Sequence, residues 1–121
     1  MQISYLFYLV LFPLLFIAPS KVEWNVPMEH DFGDIARRTP VVHDFSFKNV
    51  SGEDLIIDNV RTSCGCTAPD WDLAPIPADS IGHIRIEFDA RDAGYFRKKI
   101  KVYFDGQRKA EKLYIEGFVE D

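Results

Sequence analysis

From Lys21 onward, apolar and polar residues alternate with a period of two, the mark of strands that bury one face. Val41, His43, Phe45 and Phe47 fall on one side of such a strand, and Val42, Asp44, Ser46 and Lys48 on the other. Ile84, Ile86 and Phe88 alternate with Arg85, Glu87 and Asp89. Phe96, Ile100, Val102 and Phe104 alternate with Arg97, Lys99, Lys101 and Tyr103, and Leu113 and Ile115 with Tyr114 and Glu116. Leu55 to Val60 reads as a further strand behind the turn Ser51-Gly52-Glu53-Asp54. Val22 to Val26 and the stretch around Phe32-Gly33-Asp34-Ile35 read as two shorter ones. Asp105-Gly106 marks a hairpin between the last two strands, because glycine takes positive φ without strain. No eleven-residue window holds a helical stripe. Pro27, Pro40, Pro69, Pro75 and Pro77 are expected between strands, where no ladder donor is lost. The longest irregular stretch runs from Ser63 to Ser80. Short strands at this spacing predict an all-β, two-sheet sandwich of about seven strands and immunoglobulin size. Phe45, Phe47, Ile86, Phe88, Ile100 and Val102 are its expected core.

The N-terminus changes the picture of where such a domain works. The first twenty residues carry no charged side chain, and Ile3 to Ala18 are almost wholly apolar. That run is shorter than the roughly 20 residues of a membrane-spanning helix, and Pro13 interrupts it. Ala18-Pro19-Ser20 places small residues three and one positions before a cut, so residues 1–20 read as a signal peptide cleaved after Ser20. A basic leader is missing, which keeps an uncleaved N-terminal anchor as the alternative. Residues 21–121 then form one domain, expected in the periplasm, at the cell surface or secreted. Its formal net charge of −5 disfavours nucleic acid as a partner. The cluster Arg97, Lys98, Lys99 and Lys101 reads as the solvated face of a strand.

Cys64-Gly65-Cys66 is the one compact piece of chemistry. Residues two apart on an extended chain share a face at about 6.4–6.8 Å, the upper edge of what a disulfide spans, and the glycine can close the gap. Three readings stand open: a local disulfide, two reduced thiols packed as small hydrophobes, and a soft-metal site for copper(I) or part of a zinc site. A zinc site would need ligand pairs that His30, His43 and His83 do not supply. The histidines form no triad pattern, so each is expected as a core or surface imidazole. Asp70-Trp71-Asp72 offers a sugar-stacking platform, or an indole folded over the end of the sandwich. Asp89 and Asp92 lack the spacing of a calcium loop. Asn49-Val50-Ser51 is an N-glycosylation sequon, of use only in a eukaryotic host. No nucleophile, base and oxyanion set assembles, and the chain reads as a non-enzyme without a cofactor.

The run Ser63-Cys64-Gly65-Cys66-Thr67 resembles the hallmark of a bacterial family of secreted domains of unknown function. Asp31-Phe32-Gly33, the strand Phe45, Phe47 and Asn49, Trp71 with Pro75-Ile76, and Gly94 with Phe96 match the rest of its pattern, over about Val22 to Val119. Members often have a Pro-Gly turn where this chain has Pro77-Ala78-Asp79. The family is similar to the Hydin/ASH/major-sperm-protein-like branch of immunoglobulin-like folds. The resemblance implies a binding or structural module, with a protein or cell-envelope partner, and with a membrane only if the N-terminal segment is uncleaved. The alternative is a thiol-redox or copper-handling protein acting through Cys64 and Cys66, with Ser63, Gly65, Thr67 and Trp71 as motif neighbours.

Overall fold

The computed structural model describes residues 19–121, so the expected targeting segment lies almost entirely outside the described residues. Eight strands follow in order: β1 (Val22–Trp24), β2 (Glu29–Ala36), β3 (Val41–Asn49), β4 (Ile57–Thr62), β5 (Thr67–Trp71), β6 (Ile81–Phe88), β7 (Gly94–Phe104) and β8 (Glu111–Glu120). They form two four-stranded sheets, β1-β3-β6-β5 and β2-β8-β7-β4. All pairings are antiparallel except that of β2, which runs parallel to β8. The result is an immunoglobulin-like sandwich, as the alternation predicts.

The period-two residues meet between the sheets. Phe45, Phe47, Ile84 and Ile86 come from the first sheet and Ile100, Val102, Leu113 and Ile115 from the second, all fully buried. All six expected core residues are in this set or beside it. Two glycines set how closely the strands pack. Gly82 is paired with Phe47 across β3 and β6, and a Cβ there would lie 2.7 Å from Ile76 Cδ1 and inside the Phe47 ring. Gly117 is paired with Phe96 across β7 and β8, and a Cβ there would meet the Gly33 carbonyl of β2 at 2.9 Å. Each large ring thus covers the bare backbone of its partner strand, space that any side chain would take.

Three expectations need correction. The stretch from Ser63 to Ser80 is not irregular throughout, because Thr67–Trp71 pairs with β6 as a further strand, β5. Pro69 sits inside that strand and not between strands; β5 is an edge, ladder-bonded on one side only, where a missing donor is tolerated. The fourth strand starts at Ile57 and ends at Thr62, because Leu55 pairs instead with Ile76 across an isolated bridge. The turn Pro77-Ala78-Asp79 closes without glycine: Asp79 takes φ 64°, in the left-handed region that aspartate tolerates better than most residues.

Candidate functional site

The cysteine run lies where the chain leaves one sheet for the other. Thr62 ends β4 in the second sheet and Thr67 begins β5 in the first, so Ser63, Cys64, Gly65 and Cys66 make the crossing. Cys64 and Cys66 are joined by a disulfide, with Cα atoms 5.4 Å apart. Both cysteines are half-buried, whereas Ser63 and Gly65 are exposed. Two threonines bracket the ring. Buried Thr67 has its hydroxyl 3.9 Å from each sulfur, and Thr62 Oγ1 lies 3.2 Å from the Cys64 carbonyl and 3.3 Å from that of Thr67. The Asp89 amide donates to the Cys66 carbonyl at 3.0 Å, which ties the crossing to the end of β6. The sulfurs are bonded to each other, so the thiolate pair that copper(I) requires exists only after reduction. Among the described residues, no three side chains of the His, Cys, Asp and Glu types converge as a metal site would need.

Trp71 is not beside the cysteines. It pairs with Ile84 while Thr67 pairs with Phe88, so the two occupy opposite ends of β5, about 13 Å apart at strand rise. Its ring is half-buried against the core, and its Nε1 is buried without a hydrogen-bond partner. Asp70, Trp71 and Asp72 border a shallow cavity of about 330 Å³ with Val42, Asp44, His83 and Arg85. Within it, His83 Nδ1 and Asp44 Oδ2 are 2.7 Å apart.

The other two histidines meet each other. His30 on β2 and His43 on β3 stack across the two sheets, with ring centroids 3.6 Å apart and planes within 6°. Phe32 meets His30 in a T-shaped contact at 4.6 Å between ring centroids, and Phe45 meets His43 likewise at 4.5 Å. Partial burial and then the neighbouring His30 hold the His43 pKa below the ordinary imidazole range, against the opposing pull of Asp44. Sequence reasoning places His43 on the apolar face but has no means of pairing it with His30, because the contact depends on how the sheets stack.

Asn49 has a structural task. It is fully buried; its Nδ2 lies within bonding distance of the carbonyls of Glu53, Ile76 and Pro77, and its Oδ1 accepts from the Ser51 amide and hydroxyl. The sequon reading fails in the folded domain, since the nitrogen a glycan would need is engaged. Asp89 caps its own turn, accepting from the Arg91 amide at 3.2 Å.

No curated protein matches the chain detectably. Among solved structures, a protein of unknown function from Porphyromonas gingivalis W83 is similar at a TM-score of 0.68 and 15% identity, over 87% of this chain and 51% of that one. The chain therefore spans about half the length of that protein. The seventh PapD-like (ASH) domain of human CEP192 is similar at a TM-score of 0.69 and 12% identity, covering 84% of this chain and 87% of that one. WR4, a major-sperm-protein family member of C. elegans, is similar at 0.53 and 9%, covering 84% and 99%. At such identities the likeness is one of fold. The family model matching residues 22–119 carries the description "Protein of unknown function (DUF1573)", and the chain belongs to that family.

Proposed function

We propose that this chain is an exported, non-enzymatic immunoglobulin-like module of the periplasm or cell surface, which binds a protein or envelope partner by strand pairing. The carrying observation is that both sheets are open, with β1, β5, β2 and β4 as edges that offer main-chain donors and acceptors. Against enzymatic use, the side chains most suited to chemistry are engaged with one another: the cysteines in a bridge, His30 on His43, and His83 on Asp44. The uncharged apolar start and Ala18-Pro19-Ser20 support export.

A photo-crosslinking side chain placed at exposed Asp58 or Ala68, on edge strands, should give a protein adduct in the native host. The same group at exposed Glu87, on the central strand β6, should give none. Adducts of equal yield at all three positions, or at none, would overturn strand pairing. Native protein recovered outside the cytoplasm should have the intact mass of a chain starting at Lys21; a cytoplasmic product retaining Met1 would overturn export.

The second reading, a thiol-redox or copper-handling role through Cys64 and Cys66, draws on the position of these two half-buried residues at the sheet crossing. A count of free thiols, with the metal retained after native purification, separates it from the first.

A further inference from the structure

The outer face of the second sheet is divided by charge. At one end, Arg97 is neutralised by Glu29 Oε1 at 2.7 Å and Glu116 Oε2 at 3.4 Å, and its guanidinium lies 4.4 Å from the centre of the Tyr114 ring. Toward the other end the register sets Arg61 of β4 opposite Lys101 of β7, and Lys101 opposite Lys112 of β8. Three cations therefore cross the sheet in one row, with Lys99 beside them on β7. None of these four has a carboxylate within ion-pair distance among the described residues. Like charges set directly opposite each other destabilise a sheet. The first sheet avoids this, since its corresponding row reads Asp44, Arg85, Asp70.

The cationic row ends at a free edge. β4 is the last strand of its sheet, and Arg61 stands on it. Arg61, Thr62, Ser63, Lys99, Lys101 and Tyr103 line a shallow groove of about 370 Å³, with the Arg61 guanidinium 5.6 Å from the centre of the Tyr103 ring. Ser63 is the first residue of the cysteine run, so the groove begins where the chain crosses between sheets.

We propose that β4 and this groove dock an extended acidic segment of a partner protein, added as a fifth strand to the second sheet. The inference rests on the strand-pairing reading above and names the edge and the chemistry of the occupant. A strand paired with β4 sets one side chain directly opposite Arg61, at about 5 Å between Cβ atoms. A carboxylate there continues the row with the opposite sign, with Lys101 one strand further along the same row and Lys99 and Tyr103 two residues to either side of it on β7. The rest of the molecule supplies selectivity, because a chain with a net charge of −5 disfavours an acidic partner away from this half-face.

The test is an amide-resolved titration of the full chain with a synthetic decapeptide of alternating Thr and Glu. Its controls are the Thr-Gln peptide and vesicles of phosphatidylglycerol. The Thr-Glu peptide should shift amides of β4 and β7 and bind about tenfold more tightly than Thr-Gln. Its affinity should fall at least tenfold in Arg61→Glu, and similarly from about 50 to 500 mM salt. Should Arg61→Glu lose its dispersed spectrum, Lys99→Gln with Lys101→Gln replaces it, with the same expectation. Equal binding of both peptides, or shifts confined to β1, β2 or β5, would overturn acidic docking on β4 while leaving a strand-pairing module intact. Vesicle binding without peptide binding would overturn it in favour of a lipid surface. Silence at every edge would also overturn it, and the crosslinks above then decide the module reading separately.

Discussion

His43 is half-buried where its ring meets His30 from the opposite sheet, so the folded domain disfavours its proton relative to the unfolded chain. Burial is the larger cause, and a charge on His30 adds to it; Asp44 works the other way. When the unfolded state binds the proton more tightly, stability rises with pH across the window. The His43 contribution is therefore complete above about pH 6.5, the ordinary imidazole value, and is lost as pH falls below it. Thermal melts between about pH 7.5 and 5 should show the melting temperature falling toward acid, and His43→Gln should flatten that slope. Parallel slopes for wild type and variant would show that the acid sensitivity arises elsewhere. At the same scale, His43's inward direction is legible from its phase with Phe45 and Phe47, but its partner is not. Periodicity gives the face a side chain points to and says nothing about which residue of another strand awaits it.

At the level of elements, β3, β6, β7 and β8 are legible because each holds three or more alternating apolar residues, most of them fully buried. β5 is not, for a physical reason. Its inward residues are Thr67, Pro69 and Trp71, of which only Thr67 is fully enclosed, so the segment shows no apolar alternation. β2 is blurred by an irregularity between Asp31 and Asp34, where Gly33 takes φ 70° and the two-residue phase slips. The candidate site is legible as a sequence run and hidden as a location, since nothing in Ser-Cys-Gly-Cys-Thr says that it joins two sheets. That location bears on what the bridge does for stability. A ring of about three residues constrains the unfolded chain little, roughly 1.6 kcal/mol in the chain-entropy expression. The Thr62 hydroxyl, on the carbonyls of Cys64 and Thr67, and the Asp89 amide hold the crossing independently of the sulfurs. Cys64→Ser with Cys66→Ser should therefore keep the sandwich and lose about 1–2 kcal/mol in urea melts. A loss beyond about 4 kcal/mol would show that the sulfurs act as core and not as a local tie.

For the whole molecule, the order of strands in the second sheet matters more than any single contact. β8 is the last strand in the chain but lies inside the sheet, between β7 and β2. It supplies Leu113, Ile115 and Val119, all fully buried, and among the described residues β2 pairs with no other strand. Losing one such side chain costs about 2–5 kcal/mol, and a domain of this size holds only about 5–15 in all. A chain ending at Ala110 should therefore be unfolded, since it lacks three core residues and leaves β2 without a ladder. Removing Asp121 alone should cost less than about 1 kcal/mol, because its pair with Arg37 at 3.3 Å is exposed. Near-ultraviolet circular dichroism and amide dispersion distinguish these outcomes. A dispersed spectrum from the chain ending at Ala110 would mean that β2, β7 and β4 hold together without their central strand. The same topology sets the folding rate, because residues near 30 must find residues near 115 before the sheet closes. Refolding in the millisecond-to-second range follows for such non-local pairing, as a single phase in which the β2 amides gain protection together with those of β8. Protection of β2 ahead of β8 would contradict the pairing, for no other strand is in place to provide it.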